Sequence, residues 1–321
     1  MLILERELFE QCLDYLRQYQ PSSLPIYYLI YGICNKNHPW NGSEFVVDQW
    51  PNPKAIVCRP IASLKNAHRR DPSVRQICYT VTVWSCDPEK LEQLLSKPNI
   101  LPWNREIMFH GVSCPGDRNA VENVCLREGE LDVAAGNGCE QDCCDVMELR
   151  PETLRLCSLD VPVGFTVGCL LPCHAAQITK QWAFGGNEST KHFLEFVLNP
   201  DELGFPSAAV FDSSGKAVSY ILFEAEGNMA MGYTDKEYRG RGFFRIVNYV
   251  LAKQLFDSGR RNTYVQIAPG NNASRSTYIS LGAVDIPDWK QHWVLYRGRK
   301  DKSDRSFVPV TFNYLNEGFT K

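Results

Sequence analysis

The stretch Tyr238-Arg239-Gly240-Arg241-Gly242-Phe243-Phe244 constrains this chain's fold more than any other, because it separates a strand pattern from a helix pattern. Upstream, Met229-Ala230-Met231-Gly232-Tyr233 reads as a strand ending at Thr234-Asp235. Downstream, Ile246, Val247, Val250, Leu251 and Leu255 recur at helical spacing. A loop of Gly and Arg that opens a helix is suited to hold phosphate. Glycines let the backbone come close to an anion, and the first free N–H groups and the helix dipole face it. Arg239 and Arg241 add charge-assisted bonds to phosphate oxygens.

A second fragment follows the strand-like run Thr263-Tyr264-Val265-Gln266-Ile267. It reads Asn271-Asn272-Ala273-Ser274-Arg275-Ser276-Thr277-Tyr278-Ile279-Ser280-Leu281-Gly282. Asn271 is placed to cap a short helix that carries Tyr278 and stops at Gly282. In this order the two fragments resemble the GNAT superfamily of acyl-CoA-dependent acyltransferases. Arg239 and Gly242 fit its pyrophosphate loop, [Q/R]-x-x-G-x-[G/A], with Phe244 where Gly or Ala is usual. Asn271, Ser274, Tyr278, Leu281 and Gly282 fit its next helix, N-x-x-[A/S]-x-x-x-Y-x-x-L-G.

The resemblance narrows further along the chain. Trp182-Ala183-Phe184-Gly185-Gly186-Asn187-Glu188 is similar to the W-x-F-G-G-N-E segment of the glycine N-acyltransferase family. Phe45 to Pro51, followed by Ala55-Ile56-Val57-Cys58, is similar to its amino-terminal V-V-D-x-W-P segment. Glu237-Tyr238-Arg239 and Ile286-Pro287-Asp288-Trp289 also sit where that family has similar residues, so the likeness runs from about Leu24 to Trp293. It implies an α/β (α+β mixed sheet) GNAT-type fold with a second, degenerate GNAT-like domain. The expected division is residues 1–149 for the degenerate domain, 150–297 for the acyl-CoA-binding catalytic domain, and 298–321 for an extension.

The 321 residues, 36.5 kDa, suit two domains of ordinary size, and the 44% apolar share is enough for normal cores. A net charge of −3 and a pI near 6.1 give no general affinity for polyanions. Arg239, Arg241 and Arg245 concentrate positive charge locally, which fits one phosphorylated ligand better than a nucleic-acid backbone. No apolar run is long enough to span a bilayer, and none is expected to insert. The first eighteen residues alternate Leu2, Leu4, Leu8, Leu13 and Leu16 with Glu5, Glu7, Glu10 and Asp14, an acidic amphipathic helix unlike a secretory or transit signal. An intracellular enzyme, cytoplasmic or in the mitochondrial matrix, is expected, working as a monomer.

All thirteen cysteines lie between Cys12 and Cys173. Cys139, Cys143 and Cys144 invite a zinc reading with Cys114 or Cys125, but the spacing is loose and His110 is distant, so reduced thiols and no metal are expected. Sequons at Asn41, Asn187 and Asn272 are then expected to stay unused.

In the first half, Ile26–Tyr31, Phe45–Val47, Ala55–Cys58 and Cys78–Val83 read as elements after the first helix, the apolar runs as strands. Asp87-Pro88 starts a capped helix through Leu95. Gly111 to Asp145, rich in Gly, Asn, Asp and Cys, reads as irregular or interdomain chain. In the second half, helices are expected near His174–Trp182 and Thr190–Leu198, and a hairpin joins Ala208–Phe211 to Ala217–Phe223.

Acyl transfer to an amine needs a held thioester, an uncharged amine and a stabilised oxyanion. The resemblance assigns the pyrophosphate to Arg239, Gly240, Arg241, Gly242, Phe243 and Phe244, and the pantetheine arm of acyl-CoA to Met231, Gly232 and Tyr233, with Asn271 and Ser274 alongside. A backbone N–H near Met231 would serve the oxyanion, an interaction worth about 3 kcal/mol. Gly232 reads equally as a glycine packed against a bulky neighbour. Asn228 occupies the family's proposed glutamate base position, and an amide cannot take a proton. Glu226, ahead of Glu224, is the nearest substitute, and a glutamate restored at 228 is expected to raise the rate if that position faces the amine. Tyr278 holds the superfamily position that protonates the leaving thiolate. By the same resemblance Phe184, Gly185, Gly186, Asn187 and Glu188 line the amino-acid acceptor side, although Asn187 and Glu188 also read as a helix N-terminus. Lys180, Lys191 and Arg275 are candidates for a carboxylate clamp, and Trp182, Phe184, Trp289 and Trp293 for an acyl floor or plain core.

The implied reaction is acyl-CoA:amino-acid N-acyl transfer, glycine being the implied acceptor, by direct attack. Since no cysteine follows residue 173, the motif region offers no thiol for a covalent intermediate. Two alternatives stand beside it: a protein or polyamine acetyltransferase on the same fold, and a non-catalytic acyl-CoA binder, the latter suggested by Asn228.

Overall fold

The computed structural model describes residues 2–35, 43–60, 79–131, 143–182 and 188–298. Its elements run β1 (Leu2–Ile3), α1 (Phe9–Leu16), α2 (Leu24–Cys34), β2 (Ser43–Val47), β3 (Ala55–Pro60), β4 (Tyr79–Ser85), α3 (Pro88–Leu95), β5 (Ile107–Cys114), α4 (Gly116–Glu128) and β6 (Glu130–Leu131). They continue with β7 (Cys144–Leu149), β8 (Thr166–Gly168), α5 (Ala175–Gln181), α6 (Glu188–Leu198), β9 (Ser207–Phe211), β10 (Ala217–Phe223), β11 (Met229–Thr234), α7 (Phe243–Asp257), β12 (Thr263–Ile267), α8 (Asn272–Ser280) and β13 (Val284–Gly298). The mixed α/β class expected from the sequence is what the chain adopts.

Two compact units emerge from the contacts. The first takes the described residues through Cys144 and those from Asp288 onward; the second runs from Asp145 to Pro287. In the first, the strands lie in the order β1-β2-β3-β4-β5-β13, with β6 on β13. All pairs are antiparallel except β4–β5. Leu91, Leu94 and Leu95 of α3 and Val121 and Val124 of α4 close over Val57, Val83 and Phe109. Asp87 caps α3 by accepting from Lys90 N, with Pro88 in the first turn, as the sequence predicts.

In the second unit β8-β9-β10-β11 form an antiparallel sheet, and β7 pairs antiparallel with β12. A single parallel bridge, Asn228 to Tyr264, ties the start of β11 to β12. Helix α7 packs against β9, β10 and β11 and buries Phe243, Ile246, Val247, Leu251 and Leu255. Four of the five positions read from the sequence are among them, and Val250 is half-buried.

Three local expectations differ. Ile26–Tyr31 is not a strand but the middle of α2, whose buried residues run almost unbroken from Leu24 to Ile33. A continuously apolar run fits a buried helix as well as a strand, and here Pro25 in the first turn favours the helix. Gly111–Asp145 is not irregular throughout: it contains the end of β5, the thirteen-residue α4 and the short β6. Helix α4 has little amphipathic contrast in sequence because it buries Asp117 and Arg118 beside Val121 and Val124. The first eighteen residues begin with β1 on β2 before α1 starts at Phe9. Cys139 and the expected extension from 299 lie outside the described residues.

Candidate active site

The site builds from an irregularity in β11. Its register against β10 runs Tyr220 to Tyr233 and then Leu222 to Ala230, so Met231 and Gly232 together oppose Ile221. Two residues facing one is a β-bulge, which interrupts the ladder and re-aims the strand. Met231 takes the left-handed region, at φ 54°, which costs a non-glycine residue on the order of 1 kcal/mol. Gly232 is there for space: a Cβ would lie 2.8 Å from Phe244 Cε2 and 2.9 Å from Ile221 Cδ1. The packing reading of Gly232 and the departure at Phe244 are therefore one feature, since the missing side chain leaves room for the ring. Phe244 in turn meets the Tyr278 ring edge-on, at 6.3 Å between centroids.

After β11, the chain passes through Asp235 to the Arg-Gly loop. Asp235 is buried, held by Gln181 Nε2 at 2.8 Å and by Lys216 Nζ at 2.5 Å. Gly240 and Gly242 sit at φ 76° and 80°, conformations that side chains disfavour, and nothing lies within 4 Å of a Cβ built at either. Gly242 is the N-cap of α7 and offers no side chain to its first N–H groups. Arg239 and Arg241 are exposed on this open cradle. Arg239 Nε donates to Thr234 O at 3.2 Å, and Arg241 lies 5.2 Å from the Tyr238 ring centre. Beneath, Phe243 is buried against Phe165. An exposed, uncapped helix start with two guanidiniums has the donors a pyrophosphate needs.

Tyr278 is 2% exposed, and burial holds its phenol far above the usual tyrosine range. Its hydroxyl donates to Asn248 Oδ1, and Asn248 Nδ2 donates to Phe244 O at 2.7 Å. Asn248 escaped the sequence reading, because a fully buried amide inside the apolar face of a helix has no signal of its own. Asn271 caps α8, its side chain accepting from Ser274 N at 3.2 Å.

The turn from Glu224 to Asn228 is pinned to β12. Thr263 Oγ1 donates to Gly227 O at 2.8 Å and Tyr264 Oη to Glu226 O at 3.2 Å, while Glu224 N donates to Asn228 O at 3.0 Å. Asn228 is fully buried and its Nδ2 donates to Glu224 Oε2 at 2.7 Å and to Gln266 Oε1 at 3.1 Å. Its Oδ1 is buried without a hydrogen-bond partner. Glu224 and Glu226 are half-buried, with carboxylate oxygens within 4.8 Å of each other. The position that the family gives to a glutamate base is thus occupied by an amide that holds the carboxylate of Glu224. A glutamate restored at 228 would put a second carboxylate in this buried place, beside Glu224 and the Gln266 oxygen. Two carboxylates that close cannot both ionise freely, and burial makes the second charge costlier still.

On the acceptor side, Phe184, Gly185, Gly186 and Asn187 lie outside the described residues, and Glu188 opens α6. Arg275, a clamp candidate, is paired with Asp145 at 2.6 Å and with Asp285, while Lys180 is exposed. Trp289 is buried in the first unit, its Nε1 donating to Ser113 Oγ at 3.0 Å. The sequence-predicted residues fall into three groups: the bulge of Met231 and Gly232 with Phe244 and Tyr278, the exposed loop of Arg239 to Gly242, and the pinned turn of Glu224 to Asn228.

Comparison with known proteins adds the family. Residues 1–200 match the family profile described as aralkyl acyl-CoA:amino acid N-acyltransferase, and residues 208–296 match that of its C-terminal region. The chain is 26% identical over 294 residues to glycine N-acyltransferase of Bos taurus, covering 88% of this chain and 96% of the relative. It is 28% identical over 289 residues to human glycine N-acyltransferase-like protein 2, covering 85% and 90%. A crystal structure of a Drosophila protein shares the fold, with a TM-score of 0.70 at 15% identity over 92% of this chain and 97% of that one. Profiles matched through both halves and relatives matched along nearly their whole length agree that the chain belongs to the aralkyl acyl-CoA:amino acid N-acyltransferase family.

Proposed function

We propose that the protein transfers an acyl group from an acyl-CoA thioester to the amino group of a small amino acid by direct attack, with Glu224 as the general base. The observation that carries the base assignment is the 2.7 Å bond from Asn228 Nδ2 to Glu224 Oε2, which fixes a half-buried carboxylate beside the strand that bears the bulge. Glycine is the first acceptor to test, because the bovine relative is named for it.

In this reading Arg239, Arg241 and the N–H groups after Gly242 hold the pyrophosphate, with Gly240 and Gly242 letting the backbone approach. The bulge at Met231 and Gly232, continued by Tyr233, receives the pantetheine arm, with Asn271 and Ser274 at its side. Glu224 takes a proton from the acceptor's amine as its nitrogen attacks the thioester carbonyl. The C–N bond forms, the C–S bond breaks, and CoA leaves as a thiolate. Tyr278, kept protonated by burial, supplies the thiolate's proton; turning its hydroxyl away from Asn248 leaves the ring in place. The amino-acid acceptor is assigned to Phe184 to Glu188 on the family resemblance of that segment alone.

The test is steady-state kinetics with benzoyl-CoA and glycine on the Glu224→Gln and Glu226→Gln variants. Removing a general base costs about 10²–10⁴ in rate. Glu224→Gln is expected to lower kcat by at least about a hundredfold with little change in the KM for benzoyl-CoA, and Glu226→Gln by less than about fivefold. The reverse order would move the base to Glu226. Unchanged rates in both would remove this turn from the chemistry.

A further inference from the structure

Cys114 and Cys143 are 29 residues apart in sequence, yet their sulfurs lie 2.7 Å apart in a thiol–thiol hydrogen bond. Cys114 ends β5 and is half-buried; Cys143 immediately precedes β7 and is 2% exposed. Arg118, in the first turn of α4, turns Nη1 to the Cys143 sulfur at 3.3 Å while its Nε is held by Glu122 at 2.7 Å. Lys290 of β13 stands opposite Cys114 in the strand register and adds a second positive charge. Cys12 shows the contrast: burial first, and then the neighbouring Cys34, push its thiol up to about 12.

We propose that Cys114 and Cys143 form a redox-active dithiol that a hydroperoxide converts into an intramolecular disulfide. Three features of the geometry point this way. The sulfurs are already within bonding approach of each other, so linking them needs little backbone movement. A fixed guanidinium on one sulfur favours its thiolate, the form that reacts. The second thiol can donate its S–H to that thiolate, which stabilises it further and places the resolving group in advance. The Cys143 thiol is correspondingly lowered to about 7, first by the Cys114 thiol and then by Arg118.

The chemistry balances in two steps. The Cys143 thiolate attacks the terminal oxygen of the hydroperoxide; the S–O bond forms, the O–O bond breaks, and the alkoxide or hydroxide leaves and takes a proton. The Cys114 sulfur then attacks the resulting sulfenic acid, the S–S bond forms, and the sulfenic oxygen leaves as water with the proton from Cys114. The pair of thiols loses two electrons and the peroxide gains them, and a small dithiol reverses the change by exchange.

The test uses the full chain and hydrogen peroxide, with free thiols blocked by iodoacetamide at intervals and each cysteine followed by mass spectrometry. Cys114 and Cys143 are expected to become protected together, as one linked peptide that dithiothreitol releases. They should do so about tenfold faster than the exposed Cys86, Cys169 and Cys173. In Cys114→Ser the resolving thiol is gone, and Cys143 should accumulate as a sulfenic acid that dimedone captures. Oxidation of the three exposed cysteines ahead of the pair would overturn the proposal. So would loss of Cys143 to the sulfonic acid in the unsubstituted protein with no linked peptide formed. The readout is chemical and independent of acyl transfer, so it stands or falls apart from the function proposed above.

Discussion

Gly232 and Phe244 show how one residue's absence of side chain makes another's presence possible. A methyl group at 232 would press on Phe244 and Ile221 at distances that real Cβ atoms do not adopt. Gly232→Ala should therefore cost about 1–3 kcal/mol of stability, measured by urea unfolding, and should cost less when made in the Phe244→Ala background, where only Ile221 stands in the way. If the two costs simply add, the ring and the glycine are not coupled. Asp117 makes a second prediction at this scale. Burial pushes its carboxyl up to about 6, partly offset by bonds from Ser85 N and Oγ. A folded pKa above the ordinary 3.8 of this carboxyl means that the folded state holds the proton more tightly. The stability this gives is complete below about pH 4 and is lost as the pH rises through about 6. Asp117→Asn should remove that dependence and make the protein more stable at pH 7, by up to about 3 kcal/mol. Unfolding curves at pH 4 and pH 7 would show it; a wild-type protein with no relative loss over that interval would contradict the burial account. The loop residues were legible in the sequence because Gly and Arg carry their own signal. The Asn228–Glu224 bond was not, since it depends on how a turn folds back over four residues. Gln266 reaches the same amide from another strand.

Among the elements, those with a clean period or a turn signal were legible: β9, β10, β11, α7 and β12 stand within a residue or two of their expected bounds. Helix α2 was misread because its apolar residues surround it on every side, leaving no stripe to count. Strand β13 was unread because its exposed first half gives no alternation, and Pro287 lies within it. The loop between β11 and α7 carries a prediction of its own. Arg239 is exposed and its Nε donates to the Thr234 carbonyl at the end of β11, so Arg239→Ala should leave the fold intact. It should raise the KM for acyl-CoA by about ten- to a hundredfold, with unfolding midpoint unchanged, because a charge-assisted phosphate bond contributes about 1.5–3 kcal/mol. An unaltered KM in the folded variant would take the loop out of the pyrophosphate site.

At the scale of the molecule, the family profiles reach into both units, yet the Arg-Gly loop, the Glu224–Asn228 turn and Tyr278, to which acyl transfer is assigned in the proposal, lie in the second. The first unit has strands, helices and a core of its own but no Gly-rich turn before a helix, which leaves its descent from a duplicated catalytic fold as a proposal. Among the described residues no helix is long and apolar enough to cross a membrane. What sequence could not supply at this scale is how residues far apart in the chain come together: Cys114 with Cys143, Tyr278 with Asn248, and Glu148 with Asn262. The central claim, acyl transfer from CoA to an amino acid, is tested most directly by thiol release from benzoyl-CoA and acetyl-CoA with the full chain. Glycine, glutamine, taurine and a lysine peptide would compete as acceptors, and products would be identified by mass. The account predicts amine-dependent thiol release with an N-acyl amino acid as product, glycine leading. Tight binding of acyl-CoA without thiol release, or turnover confined to the lysine peptide, would contradict it.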